Sequence, residues 1–549
     1  MGRVRDDDVE GTALTGRPLR VLFFVRDLPL LHRIYTPLLE ELTERGHEIH
    51  LAFGKRLHRE KIEQILAAIS QERLSYGLAP HREPTDGWRS VGWVVRALGD
   101  LARYAHPRYD GAPRLRQRVT NSVLRRLEKA PALEPLGRAL ALRIARRLAS
   151  RTDAELSARV IAAAARLEEA IPASPAINRF IREHEPDVVL VTPVVKYASD
   201  EVEYLKSARR LGIPAASCVA SWDNLTTKGL LKFTPERVFV WNQIQQAEAV
   251  TWHGIPPDRV VATGAQRFDK WFEQRPSCSR EQFMGTIGLD PDQPYLVYVC
   301  SSPFVVNHSD DEMQFVTRLL EALRASPDDR LRRLGVMVRP YPRGAPWKRV
   351  DLARFGNAVV FPTRGAAPAT PEAVADFYDS LVHSSAVVGI NTTAMIEAAI
   401  VGKSVLTVLA PEFAQESTLH FHYLLEENGG FLHVASSLED HLSQLGRVLE
   451  PEDSDVEQRL RFVESFVRPH GLDRPATAIL ADAVEELAGL PVSAPVRAGT
   501  LLLRAALTFE AAACSLLLVV TPAVRPLRLR LVGAARSRGL LRPRVGDSG

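Results

Sequence analysis

The chain is 549 residues long, 46% hydrophobic and 25% charged, with a formal net charge of +4. That length exceeds one ordinary core, so at least two domains are expected, and the composition is that of a globular rather than a disordered protein. The small net charge makes no case for nucleic acid. The four cysteines, Cys218, Cys278, Cys300 and Cys514, lie far apart, which argues against a zinc knuckle or disulfide framework and fits a reducing cytoplasm.

Residues 1–17 read as a charged, disordered tail without the apolar core of a signal peptide. Residues 19–25 predict a buried parallel strand, 32–45 a helix with Ile34, Leu38, Leu39 and Leu42 on one side, and 48–53 a second strand. The first turn has no GxGxxG, so it carries no dinucleotide fingerprint. Arg26, His32 and Arg33 fall where the first strand meets its helix, the functional edge of such sheets. The stretch 55–170 is helical in pattern and rich in arginine, including Arg138, Arg143, Arg146, Arg147 and Arg151. It is too long for a simple crossover and reads as a helical insertion with a solvated basic face.

Strand patterns return at 187–192 and 215–219. The second leads into SWDNLTTKG, residues 221–229, a polar and aromatic loop placed where binding groups gather. Further strands are predicted at 238–240 and 259–262, and a crossing between domains at 272–290. A second α/β domain opens at 295–300. Its next strand, 334–338, delivers Arg339 and Arg343, whose fixed forks of donors suit phosphate oxygens.

Residues 386–408 read strand, turn, helix, strand: AVVGI, then Asn391-Thr392-Thr393, a helix over 394–401, and a second apolar run from 404. Unpaired N–H groups at such a helix start bind anions, and Glu397, four residues after Thr393, shares its face and can accept from sugar hydroxyls. The competing reading is an ordinary β-α-β unit whose polar residues only cap. His420 and His422 are two apart and share no helix face, and no metal-ligand set is visible. After 490 comes a basic, apolar tail. Its run 501–520 is interrupted by Arg504 and Glu510, and suits either a helix on a membrane surface or one docked on the protein body.

Four segments, at residues 221–229, 238–272, 379–408 and 468–477, resemble the two-domain nucleotide-sugar glycosyltransferases of the GT-B architecture. Within it they are most similar to the surface-carbohydrate group related to CDP-glycerol glycerophosphotransferases. The segment GINTTA departs from the DYSS-type segment of that group, which favours a hexose donor over glycerol phosphate. The resemblance implies an α/β fold of two Rossmann-like domains with a helical insertion in the first and a C-terminal helical tail. The domains would span 18–275, with the insertion at 55–170, and 290–490, followed by the tail 491–549. It implies an enzyme with a nucleoside-diphosphate sugar as donor, a carbohydrate or lipid-linked acceptor, and no tightly bound cofactor or metal. The tail lies outside the resemblance, and its own composition makes contact of 501–545 with the inner face of the cell membrane one of two readings for a cytoplasmic protein that binds no nucleic acid. Carried over by position, Arg339, Arg343, Asn391, Thr392 and Thr393 would meet the diphosphate and Glu397 the ribose, with His32 or Asp223 as base on the acceptor side. UDP-sugar 2-epimerases share the architecture and are the competing activity; a non-catalytic scaffold for surface-polymer assembly is the third reading.

Overall fold

In a computed structural model of the chain, the described residues are 17–54, 60, 62–63, 71–129, 135–301, 305, 310–341, 351–363, 370–410, 412–413, 418–450, 455–493 and 500–517. Two all-parallel sheets organise them. The first runs β3-β2-β1-β4-β5-β6-β7, with β1 at Arg20–Val25, β2 at Glu48–Phe53, β3 at Leu74–Leu78, β4 at Val188–Thr192, β5 at Ala215–Cys218, β6 at Arg237–Val240 and β7 at Val260–Ala262. The second runs β10-β9-β8-β11-β12-β13, with β8 at Tyr295–Val299, β9 at Gly335–Arg339, β10 at Ala358–Val360, β11 at Ala386–Gly389, β12 at Val405–Val408 and β13 at Leu432–Ala435.

The central strands are short apolar runs because helices cover both faces of each sheet. Val188, Val189, Leu190 and Val191 are all fully buried, as are Leu296, Val297 and Tyr298. Strand order reverses between β1 and β4 in the first sheet and between β8 and β11 in the second, where Val21 pairs with Val188 and Val297 with Val387. Crevices at the carboxyl ends of strands open at such reversals, which puts the exits of β1, β4, β8 and β11 where ligands bind in open α/β sheets. This is the expected GT-B architecture of two Rossmann-like domains.

Two local expectations change. The predicted helix over 32–45 opens as a π turn at Leu31–Tyr35 and becomes regular only in α1, Thr36–Glu44. Strand β3 lies inside the stretch expected to be a helical insertion. As an edge strand its residues are half-buried or exposed, so LSYGL has no continuous apolar run to announce it. The insertion is otherwise helical, with α2 at Gly87–Tyr104, α3 at Pro113–Lys129, α4 at Pro135–Ala149 and α5 at Ala154–Ala170. Arg143, Arg146, Arg147 and Arg151 are exposed, as expected of a solvated face.

A buried charge network fastens the insertion to α6, Val202–Leu211, of the first domain. Arg96 makes a two-pronged contact of 2.8 Å with each oxygen of Glu168, and Lys206 Nζ donates to the same carboxylate at 2.9 Å. Arg82 donates to Glu203 at 2.8 Å, and Arg96 reaches Glu203 as well. Charges this deep are tolerated only when paired in this way.

The chain then returns from the second domain to the first. Asp269 accepts from Arg468 Nη2 at 2.8 Å, from Thr477 N at 2.7 Å and from Ala476 N at 3.1 Å. It therefore fixes the start of α7, Ala476–Ala488, whose Leu480, Ala481, Val484 and Leu487 join the core of the first domain beside α1. That crossing accounts for the sequence RPHGLDRPAT. Gly264, at φ +89°, stands so close to this start that a Cβ there would lie 2.5 Å from Ala476 Cβ. The last described helix, α8, spans Thr500–Leu517 and lies on the insertion; the expected tail 1–17, apart from Arg17, and the residues after 517 fall outside the described residues.

Candidate functional site between the sheets

The exit of β9 carries Arg339, buried to 6% exposure. Its Nη1 donates to Ser380 Oγ at 3.0 Å and its guanidinium lies 4.6 Å over the Phe377 ring, but Nη2 has no hydrogen-bond partner among the described residues. Burial lowers its pKa to about 10, against the opposing pull of Asp376 and Glu397. A guanidinium held this deep without a carboxylate bonded to it is short of an anion.

At the exit of β11, Asn391 N donates to Ser301 Oγ at 3.2 Å and its Nδ2 donates to Thr418 Oγ1 at 2.6 Å. Ser301 N in turn donates to Glu312 at 2.8 Å, so the two strand exits at the reversal are tied together. The helix that follows, Ala394–Ile400, starts without a side-chain cap from Thr393, but Thr392 Oγ1 accepts from Ala394 N at 3.5 Å. Glu397 is buried to 7% and pairs with Arg267 Nη2 at 3.2 Å. Burial raises its pKa, opposed first by Arg267 and then by Arg33 and Arg339. Arg343 lies outside the described residues.

Arg267 comes from the first domain, in the turn Gln266–Phe268 just past β7. Its Nε has no partner among the described residues, and burial lowers its pKa despite Glu397. The π turn that carries His32 and Arg33 packs on this segment, which brings the predicted His32 to the same edge. Asp223 also reaches this edge. It pairs with Lys228 Nζ at 3.0 Å and accepts from Thr227 Oγ1 at 3.2 Å. Burial works to raise the Asp223 carboxyl, but the Lys228 ammonium and hydrogen bonds outweigh it and hold the group well below the usual carboxylate range. A carboxylate so stabilised is a weak proton acceptor.

Three groups here were given no catalytic role by the sequence. His420 is buried to 7%, with its ring edge-on to Trp222 at 4.5 Å. Burial lowers its pKa to about 4, and its Nδ1 has no partner among the described residues, so it faces Asp223 as a neutral imidazole. Glu248, bonded by the Tyr423 hydroxyl, is pushed up to about 7 by burial. Arg267 is the third; its only signal was its place after a parallel strand, the same rule that singled out Arg339. His253 is structural: Leu231 N donates to its Nδ1 at 3.0 Å and its Nε2 contacts Leu225 O at 2.9 Å.

Among the described residues one group has the side chains of a metal site: Cys278, Asp379 and His383, with ligand atoms within 4.8 Å of one another. Its atoms are engaged locally. Ser277 N donates to Asp379 at 3.0 Å, and His383 Nε2 contacts Cys278 O at 3.0 Å. Separately, a cavity of about 260 Å³ opens at the exits of β1 and β2, lined by Arg26, His81, Arg89, Lys196, Asp200 and Tyr204 among others.

No protein-family model matches the sequence, and no curated relative does. Solved structures do match in shape. A UDP-GlcNAc 2-epimerase from Neisseria meningitidis bound to UDP-GlcNAc is 12% identical and covers 85% of this chain and 100% of its own, with a TM-score of 0.45. A UDP-GlcNAc 2-epimerase from Methanocaldococcus jannaschii is 10% identical over 85% of this chain and 99% of its own, with a TM-score of 0.46. A glycosyltransferase from Rickettsia africae is 8% identical over 86% and 99%, with a TM-score of 0.48. The GT-B architecture rests on the two parallel sheets and their strand orders; at these identities and TM-scores the likenesses carry no argument of their own, and none singles out the glycerophosphotransferase group.

Proposed function

We propose that the protein processes a nucleoside-diphosphate sugar, breaking the bond between the sugar and its diphosphate. The observation that carries this reading is the pair of guanidiniums, buried Arg339 and half-buried Arg267, which flank Glu397 from opposite domains, each with a donor that no described residue satisfies. Departure of a diphosphate builds negative charge on its oxygens. Fixed cations and N–H donors at that point stabilise the transition state without reorganising, an effect of about 3 kcal/mol or more per donor. Glu397 accepts from the ribose hydroxyls, and Asn391, Thr392 and Thr393 meet the diphosphate at the switch-point turn.

Two reactions follow from that step. An isomerase moves a proton at the carbon beside the anomeric centre and returns the sugar to the same diphosphate. It needs an acid and a base beside the sugar; Glu248, protonated up to about 7, is fitted as the acid, and His32 is the candidate base. A transferase brings an acceptor hydroxyl to the anomeric carbon, with His32 taking its proton, and needs a second opening. The cavity beside Arg26 and Arg89 supports that reading. The buried, protonated Glu248 favours the isomerase, of the UDP-sugar 2-epimerase kind; in either reaction the depressed Asp223 carboxyl pairs with Lys228 rather than taking the proton.

Calorimetry with UDP, CDP and GDP tests the shared reading. Binding of at least one nucleotide, weakened tenfold or more (about 1.4 kcal/mol) in Arg339→Gln, is expected; no binding by any of the three overturns it. Incubation of UDP-sugars without acceptor separates the reactions. Isomerised sugar on an intact diphosphate marks the epimerase, and a sugar unchanged until an acceptor is supplied marks the transferase.

A further inference from the structure

Helix α8 is bound to the protein on one side only. Ala511 and Cys514 are buried in the core of the insertion. Arg504 Nε donates to Ala170 O at 2.9 Å and Gly87 N to Ser515 Oγ at 2.8 Å. The approach is close at two glycines. A Cβ on Gly87 would lie 1.8 Å from Ala511 O, and one on Gly137 of α4 would lie 2.6 Å from a Glu510 oxygen. The two charges that interrupt the apolar run therefore face the protein side.

The opposite side is apolar and open. Leu502 is 78% exposed, Phe509 79% and Leu516 65%, and seven-residue spacing stacks them in one stripe. Leu501 and Leu503 are exposed beside them, and Leu140 on the neighbouring α4 is 60% exposed. Among the described residues nine large hydrophobic side chains are exposed, and six of them are in this patch. Scattered single leucines need no explanation, but a concentration of this kind on one face does. The surroundings are cationic. Arg143 and Arg147 are exposed on the turns of α4 after Leu140, and the sequence beyond residue 517 holds seven arginines against one acid, Asp547.

We propose that α8 and α4 form a docking face for an anionic lipid surface. The stripe of Leu502, Phe509 and Leu516 enters the boundary between headgroups and acyl chains, and the arginines meet the lipid phosphates. An apolar stripe with a basic flank acts through both contributions together, and each basic residue near an anionic leaflet adds to the attraction. The docked side distinguishes this from a membrane span. Thr500–Leu517 is long and apolar enough to cross by length and composition, with a mean hydropathy of 1.5, but its inner face is already committed to the insertion. Charge complementarity also favours lipid over a second copy of the chain, because two such faces would bring their arginines together.

The test is co-sedimentation of the full chain with vesicles of phosphatidylcholine alone and of phosphatidylcholine mixed with phosphatidylglycerol. Binding to the mixed vesicles, weakened by salt, is expected. The Leu502→Ser, Phe509→Ser double variant should reduce it by about tenfold or more, because both side chains leave the bilayer boundary. Arg143→Gln with Arg147→Gln should weaken the preference for anionic lipid. All four residues are exposed, so unchanged thermal unfolding of the variants is the control for folding. The proposal fails if the full chain sediments with neither vesicle, or if the Leu502, Phe509 variant binds like the parent. It fails equally if lipid-free protein forms a dimer that this variant abolishes, since the face would then belong to a second copy. None of these readouts depends on nucleotide binding.

Discussion

Arg339 and Glu248 show how burial sets the chemistry of single groups in opposite directions. Burial destabilises the cation of Arg339 and the anion of Glu248 alike, lowering the first to about 10 and raising the second to about 7. Arg339 gains from an anionic ligand, so its loss should be read in nucleotide affinity. Glu248 gains from staying protonated, and the sign of its pH effect follows. Its folded pKa lies above the ordinary 4.5, so the neutral form is the one the fold prefers. Its contribution to stability is therefore complete below about pH 4.5 and is lost as pH rises towards 7, by up to about 3 kcal/mol. Glu312, also raised to about 7, acts in the same direction. Urea unfolding at pH 5 and pH 8 should show Glu248→Gln more stable than the parent at pH 8, with the difference closing at pH 5. An equal gap at both values would mean that this carboxyl is not what titrates.

At the scale of elements, two polar clusters hold pieces of chain that apolar packing alone would leave free to shift. Arg96, Glu168, Glu203, Lys206 and Arg82 bind the helical insertion to the first sheet. Removing one member leaves an uncompensated charge in the core. Arg96→Ala should therefore cost about 3–5 kcal/mol in chemical denaturation, whereas Arg159→Ala, in an exposed pair with Glu155, should cost under about 1 kcal/mol. Asp269 does the corresponding work for α7. Asp269→Ala strips the first turn of that helix of its acceptor and strands Arg468. A loss of about 3 kcal/mol or more is expected, with proteolytic release of the segment after 475 as a second readout. The sequence announced the helical insertion by its pattern. It could not announce these anchors, because Arg96 and Glu168 are 72 positions apart and Asp269 and Thr477 are 208 apart.

For the whole molecule the consequence is that the candidate site belongs to neither domain. Arg267 and Arg33 come from the first sheet's side and Glu397 and Arg339 from the second's, while His420 of the second half lies against Trp222 and Asp223 of the first. Nucleotide bound to such a site should order both sides at once. Amide exchange with saturating UDP is expected to slow in 391–397 and also in 266–268, and protection confined to the second domain would contradict a shared site. What the sequence determined by itself is the succession of buried strands, the switch-point turn at Asn391 and the basic exit at Arg339. A strand covered on both faces writes a continuous apolar run, and strand exits are where open sheets bind. Only the tertiary structure decided the partners. The half-exposed edge strand β3 leaves no such run, and the Arg267–Glu397 pair joins residues 130 positions apart through the docking of two domains, which no local pattern encodes.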